Sequence, residues 1–323
     1  MNDEKIRRRD FLRLSGKAAL LGAVVGGGEY LLSLGHYTSF QPPEKNASRQ
    51  RSVAPDARYP DLAAVKSGDH VQALSEAIAL AGGIGRFISR SDIVTIKPNA
   101  GWDRTPEQAA DTNPILVAAM VRLCLEAGAK KVVVADVSCN ETRRCFRRSG
   151  IEAALEGTGA VIVWPSEANF ARIDLGGEIL GDWLVLKPFI ECDKLINMPI
   201  VKHHGLCGLT AGMKNWYGVL GGPRNRLHQK IDTSIADLAS YFRPTLTVVD
   251  ATRVLFRNGP VGGSLEDVAT HDTVAISTDQ VAAESFAARF LNLAPSDIGY
   301  IILAEKRGLG KSAGFAIVEK ELL

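Results

Sequence analysis

Apolar residues recur along this chain with two periods. Residues 71–80 carry them at helical spacing and stop at Gly82-Gly83, whereas Asp92-Ile93-Val94-Thr95-Ile96 is a β-branched run that reads as a buried strand ending at Lys97-Pro98-Asn99. Asn113-Pro114 joins a capping side chain to a proline at the first turn and predicts a helix as far as Gly128. A strand over 131–136 follows, then short helices over 142–148 and 151–156 and a strand over 160–163. Residues 171–187 alternate about Gly176-Gly177, which predicts a hairpin. Further strands fall at 194–197, 245–250 and 273–277, with helices at 209–219, 233–242, 279–291 and 295–306 and an edge strand at 315–318. This alternation over short connections predicts an α/β fold: a mostly parallel sheet with helices on both faces and an inserted hairpin.

In such a sheet, ligands sit beyond the carboxyl ends of the strands. The polar groups found there are Lys97 and Asn99, then Asp136, then Lys202 and His204, then Asp250. Lysine offers point charge to phosphate or carboxylate, while aspartate and histidine offer oxygen and nitrogen to a divalent metal. The set therefore suits an anionic ligand, a metal, or both; each residue alone also has a plainer use at a strand end or helix cap. The densest stretch is 197–218. Glycines 205, 208 and 212 let the backbone approach a ligand, and Thr210 and Lys214 share a face if a helix has already begun. His203 and His204 point oppositely on an extended chain, so one of them alone can serve a given site. Lys202, His204 and Lys214 are the catalytic candidates. Lys97, Asn99, Lys202, Lys214, Asn215 and Gly259 are the ligand-binding candidates, and Asp136, His204 and Asp250 the metal candidates. Trp102 and Trp216 are the tryptophans expected beside a pocket, and the turn Gly259-Pro260-Val261-Gly262-Gly263 either covers the crevice or lies plainly on the surface.

The chain has 323 residues and a formal charge of +2. Six basic residues (Lys5, Arg7, Arg8, Arg9, Arg13, Lys17) precede residue 36, and without that segment the body is neutral. A neutral body argues against nucleic acid as a partner. Arg8-Arg9-Asp10-Phe11-Leu12, followed by a short glycine-containing apolar run, has the form of a twin-arginine export signal. Residues 1–35 are read as that signal, either cleaved near Gly35 or kept as an inner-membrane anchor, with the translocase as partner and the periplasm as destination. Residues 36–60 read as a Pro-rich polar tether and 61–323 as a single α/β domain. Five cysteines (Cys124, Cys139, Cys145, Cys192, Cys207) include no C-x-x-C pair, so this chain alone is not expected to hold an iron–sulfur cluster. One disulfide among the last four is compatible with an oxidising compartment. No G-x-S-x-G, H-E-x-x-H or Walker A motif is present.

Ile96-Lys97-Pro98-Asn99, then Glu126-Ala127-Gly128-Ala129-Lys130 and Val134-Ala135-Asp136, resemble the bacterial and archaeal domain of unknown function numbered 362. Lys202-His203-His204-Gly205-Leu206 with Thr210, Lys214-Asn215 and Gly218 is similar to its central signature. Asp250, Gly259-Pro260 and Ser277-Thr278-Asp279-Gln280-Val281-Ala282 continue the match, which spans about residues 90–310. Gln280 stands where the family usually has proline, and Glu284 supplies its second acidic residue. His203 takes the place of a small residue, so the family's central histidine carries over to His204. Some relatives have a ferredoxin-like cysteine cluster that this chain lacks. The resemblance implies an α/β fold and a frequent redox setting, without a settled reaction. Two functions fit: an exported metal- or cofactor-dependent enzyme of redox metabolism with a crevice for an anion, or a non-catalytic periplasmic protein that binds a ligand or assists a redox partner.

Overall fold

The computed structural model describes residues 51–322; the expectations for residues 1–50, including Arg8, Arg9, Phe11, Leu12 and most of the tether, lie outside the described residues. Residues 51–60 form neither helix nor strand, yet Arg51 is buried and donates to the carbonyls of Ile190 and Cys192. That end of the tether is docked on the domain.

The first strand, β1 (Leu62–Lys66), is absent from the expectations because Leu-Ala-Ala-Val-Lys holds a single β-branched residue. Asp69 caps α1 (His70–Leu80), its carboxylate accepting from the N–H groups of Val71 and Gln72. β2 (Ile93–Pro98) leads to α2 (Pro114–Glu126), which Asn113 caps and Pro114 begins as expected. β3 (Lys131–Val134), α3 (Thr142–Arg148), α4 (Ile151–Leu155) and β4 (Val161–Ile162) follow. β5 (Phe170–Asp174) and β6 (Asp182–Leu186) pair antiparallel as a separate small sheet, the inserted hairpin. After the single turn α5 (Pro188–Glu191) comes β7 (Lys194–Met198).

Beyond β7 the structure corrects the expected loop and helix. The chain forms β8 (Ile200–His204) and β9 (Gly208–Thr210), an antiparallel pair, then the one-turn α6 (Gly212–Asn215) and a 3-10 turn over Trp216–Val219. α7 (Ile231–Tyr241), β10 (Leu246–Leu255), β11 (Val268–Ser277), α8 (Gln280–Ala288), α9 (Gly299–Lys306) and β12 (Ile317–Glu321) complete it. Pro199 has no N–H for a ladder. There the chain leaves the line of β7, and β8 takes over as the parallel neighbour of the far half of β10.

The main sheet runs β12-β1-β11-β10-β7-β2-β3-β4. Along this path it is parallel from β10 to β4 and between β12 and β1 and antiparallel where β11 meets its two neighbours, while β8 and β9 form an antiparallel branch beside β10. Adjacent residues of one strand enter opposite cores. Ile196 and Val248 pack on the side of Leu74 and Val117, whereas Leu195 and Val249 face Leu238 and Phe286. Helices thus cover both faces, as a sheet with apolar residues on each side requires. No helix among the described residues is long and apolar enough to cross a membrane. The carboxyl ends of β2 and β3 lie side by side, and the β8–β9 pair with α6 folds over them.

Candidate functional site

Lys97, the next-to-last residue of β2, is 1% exposed. Its ammonium donates to Asp136 Oδ1 at 2.8 Å, Pro98 O at 2.7 Å and Asn215 Oδ1 at 2.9 Å, so every proton it carries is used. Burial lowers its pKa while Asp136 beside it opposes that pull. The other carboxylate oxygen of Asp136 accepts from Ala100 N–H at 2.7 Å. Gly218 closes over this pair: a Cβ there would lie 2.0 Å from Asp136 Oδ1 and 2.6 Å from Lys97 Nζ. Asn215 extends the network through its amide to Asn197 Oδ1 at 2.8 Å and accepts from Asn99 Nδ2 at 3.0 Å.

Above this floor is a cavity of about 650 Å³, within the size range of small-molecule sites. Lys202, from β8, lines it and donates to Asn99 Oδ1 at 3.0 Å and to the carbonyl of Ala110; burial takes its pKa down to about 8. Behind it lies Asp111, whose Oδ1 accepts from Trp102 N–H at 2.9 Å. Its Oδ2 is buried with no hydrogen-bond partner among the described residues, and burial pushes its pKa up to about 7.

His204 accepts the Leu206 N–H on Nδ1 at 3.2 Å, which assigns the ring hydrogen to Nε2. Burial, reinforced by Lys214, holds its pKa down at about 3, so the ring is a neutral donor. His228 stacks parallel to it with centroids 6.2 Å apart, and Tyr217 meets His228 edge-on. Lys214, in α6, is 8% exposed and has its Nζ 3.5 Å from the centroid of the Tyr217 ring. No acceptor among the described residues holds that nitrogen, and burial brings its pKa to about 8. Thr210 Oγ1, at the end of β9, is likewise buried without a partner and lines the same cavity. Arg224 reaches in from the far side, its guanidinium donating to the carbonyls of Val137, Ser138 and Tyr217. Lys202, Lys214 and Arg224 together leave the cavity electropositive.

The expected ligand-binding set, Lys97, Asn99, Lys202, Lys214, Asn215 and Gly259, all lines this cavity, with Lys97 and Asn215 engaged in its floor. The metal set does not converge. Asp250 is fully buried in mid-strand, accepting from Asn113 N–H at 2.7 Å and from Thr252 N–H and Oγ1, and it caps the entry to α2 away from the cavity. Asp136 is engaged by Lys97 and Ala100. No three His, Cys, Asp or Glu side chains gather as metal ligands among the described residues. Two smaller expectations also change. α6 starts at Gly212, so Thr210 and Lys214 reach the cavity from a strand end and a turn rather than from one helix face. Trp216 is core, stacked on Phe242, whereas Trp102 does line the cavity. All five cysteines are free. Asp111, Arg224 and His228 escaped sequence reasoning; the Gly221-Gly222-Pro223 turn, which delivers Arg224, is the signal that could have drawn attention to the last two.

The family described as domain of unknown function (DUF362) matches residues 94–289, the span that holds every side chain named in this site. A thylakoid-associated protein of Synechocystis sp. is 25% identical over 256 residues, covering 77% of this chain and 78% of that protein. Among solved structures, the lactate racemase apoprotein from Thermoanaerobacterium thermosaccharolyticum aligns over 76% of this chain with a TM-score of 0.44 at 15% identity. A Thermotoga maritima protein aligns over 70% with a TM-score of 0.38 at 12% identity. The chain spans 59% and 58% of the lengths of those two structures.

Proposed function

Because the chain belongs to the DUF362 family, whose matched span includes the whole cavity, we propose that this cavity binds a small anion and exchanges protons with it. The observation that carries the reading is Lys214, a buried ammonium with no acceptor of its own. A charge in that position is stabilised when a ligand supplies the missing acceptor. Thr210 Oγ1 offers an unpartnered hydroxyl in the same cavity, Lys202 a second cation, and His204 a neutral Nε2–H donor. Two lysines with pKa values near 8 change protonation close to neutral pH, which suits proton transfer to and from a bound group.

Calorimetric titration of sulfate, phosphate and small carboxylates into the protein tests the binding. Saturable binding to one site is expected, weakened on the order of tenfold in Lys214→Ala, the size of one charge-assisted hydrogen bond. Equal affinity in both proteins would remove Lys214 from the site. Binding without turnover of any bound acid would favour the second reading, a ligand-binding or redox-accessory protein.

Arg8-Arg9-Asp10-Phe11-Leu12 supports export of the folded chain through the twin-arginine translocase, to the periplasm or to an inner-membrane anchor. Changing Arg8 and Arg9 together to lysine should leave the protein in the cytoplasm; an unaltered distribution between cell fractions ends the export reading.

A further inference from the structure

We propose that Lys214 captures a carbonyl-bearing anion of the oxo-acid class as an imine on its Nζ, an inference that rests on the anion-binding reading above. The lysines lining the cavity are not equivalent. Lys97 spends all three of its protons on acceptors, and Lys202 is anchored by Asn99 Oδ1 and the Ala110 carbonyl, which fix its nitrogen and leave one N–H for a ligand. Lys214 Nζ is held only by the π face of Tyr217, which steadies the cation without occupying the nitrogen. Burial favours its free amine, the condition under which a lysine acts as a nucleophile.

The surroundings supply what imine formation needs. Thr210 Oγ1, buried and unpartnered, lies opposite Lys202 in the β8–β9 register and lines the same cavity. A hydroxyl both donates and accepts, so it can relay a proton between nitrogen and oxygen. Lys202 and the His204 Nε2–H remain for the carboxylate of the ligand. The Nζ lone pair attacks the carbonyl carbon, and the C=O π pair moves to oxygen. That oxygen takes a proton from the nitrogen by way of Thr210. A second proton releases it as water as the nitrogen pair forms the C=N bond. Overall, a lysine ammonium and a carbonyl give a protonated imine and one water, with no oxidant or reductant consumed.

The test uses the full chain, glyoxylate as the probe and borohydride to fix the imine, with the adduct mapped by peptide mass spectrometry. The expected product is a gain on Lys214 of the probe less water plus two hydrogens, suppressed by excess sulfate. Lys214→Arg keeps the charge but cannot form the imine, so it should still bind sulfate while the adduct disappears. Absence of any adduct in the wild type, or equal labelling of surface lysines, overturns the proposal. Should Lys214→Arg fail to fold, the position of the wild-type adduct decides alone. Failure of sulfate to bind the wild type defeats the anion reading itself, whereas sulfate binding without an adduct defeats only the imine.

Discussion

Lys97 and Asp136 form an ion pair 2.8 Å long at 1% and 2% exposure, and the backbone of Gly218 packs directly against it in the cavity floor. The pair is therefore a foundation for the site rather than a contact for ligands. Asp136→Asn would leave a buried ammonium without its counter-charge. A loss of about 3–5 kcal/mol is expected, the usual consequence of removing one partner of a buried pair, read from denaturant unfolding. Gly218→Ala should destabilise in the same direction, because its Cβ would overlap the carboxylate. A variant of either kind melting like the wild type would mean that the pair opens freely.

Lys214 should show the opposite behaviour. It buries a cation with no acceptor, so Lys214→Met, of similar shape and uncharged, should stabilise the ligand-free protein by about 1–2 kcal/mol. The same variant should bind sulfate on the order of tenfold more weakly, as expected for Lys214→Ala. Gain of stability with loss of affinity marks a residue kept for the ligand; a lower melting temperature would mark it as structural.

Affinity for sulfate, whose own charge is constant near neutrality, should depend on pH through lysine and not histidine. His204 is neutral down to about 3, so its imidazole resonances should not move across the range where an ordinary histidine titrates. Lys202 and Lys214 lose their protons near 8, so affinity should be full below that pH and fall as it is crossed upward. An affinity that falls instead between about pH 6 and 7, the ordinary histidine range, would assign the anion to a histidine.

Glu284 predicts a stability effect with a definite sign. It is fully buried beneath α6, accepting from Met213 N–H at 2.8 Å and Tyr300 Oη at 2.7 Å, and burial raises its pKa from 4.5 to about 7. The folded state binds its proton more tightly than the unfolded chain does. Its contribution is thus fully present below about pH 4.5 and lost as pH rises through about 7. Glu284→Gln can keep both contacts, since its carbonyl takes the Met213 N–H and its amide can donate to Tyr300, whose hydroxyl still reaches Leu209 O. The variant should gain up to about 3 kcal/mol above neutrality and flatten this part of the pH profile, leaving the similar slope from Asp111.

The sheet was legible because most of its strands are continuous apolar runs, and Lys97, Asn99 and Asp136 stood out as the polar groups that end two of them. The same logic misplaced Asp250. Its strand continues through Ala251, Thr252 and Arg253 to Leu255, so the aspartate lies mid-strand and binds backbone rather than ligand. The β8–β9 pair was hidden by its length and by Pro199, Gly205 and Gly208, which read as loop punctuation. Asp111 gave no signal at all: its importance comes from burial behind Lys202, a relation between segments 91 residues apart that no local pattern records.

Cys124, Cys145 and Cys192 are buried, and burial raises their pKa, as it does for the half-buried Cys207. Cys139 is the exposed member of the set, at the cavity wall with its sulfur 3.8 Å from Arg224. The unmodified chain therefore carries its own attachment point for a reporter. A maleimide fluorophore offered to the native protein should couple at this one thiol, placing a probe at the cavity wall without any engineered cysteine.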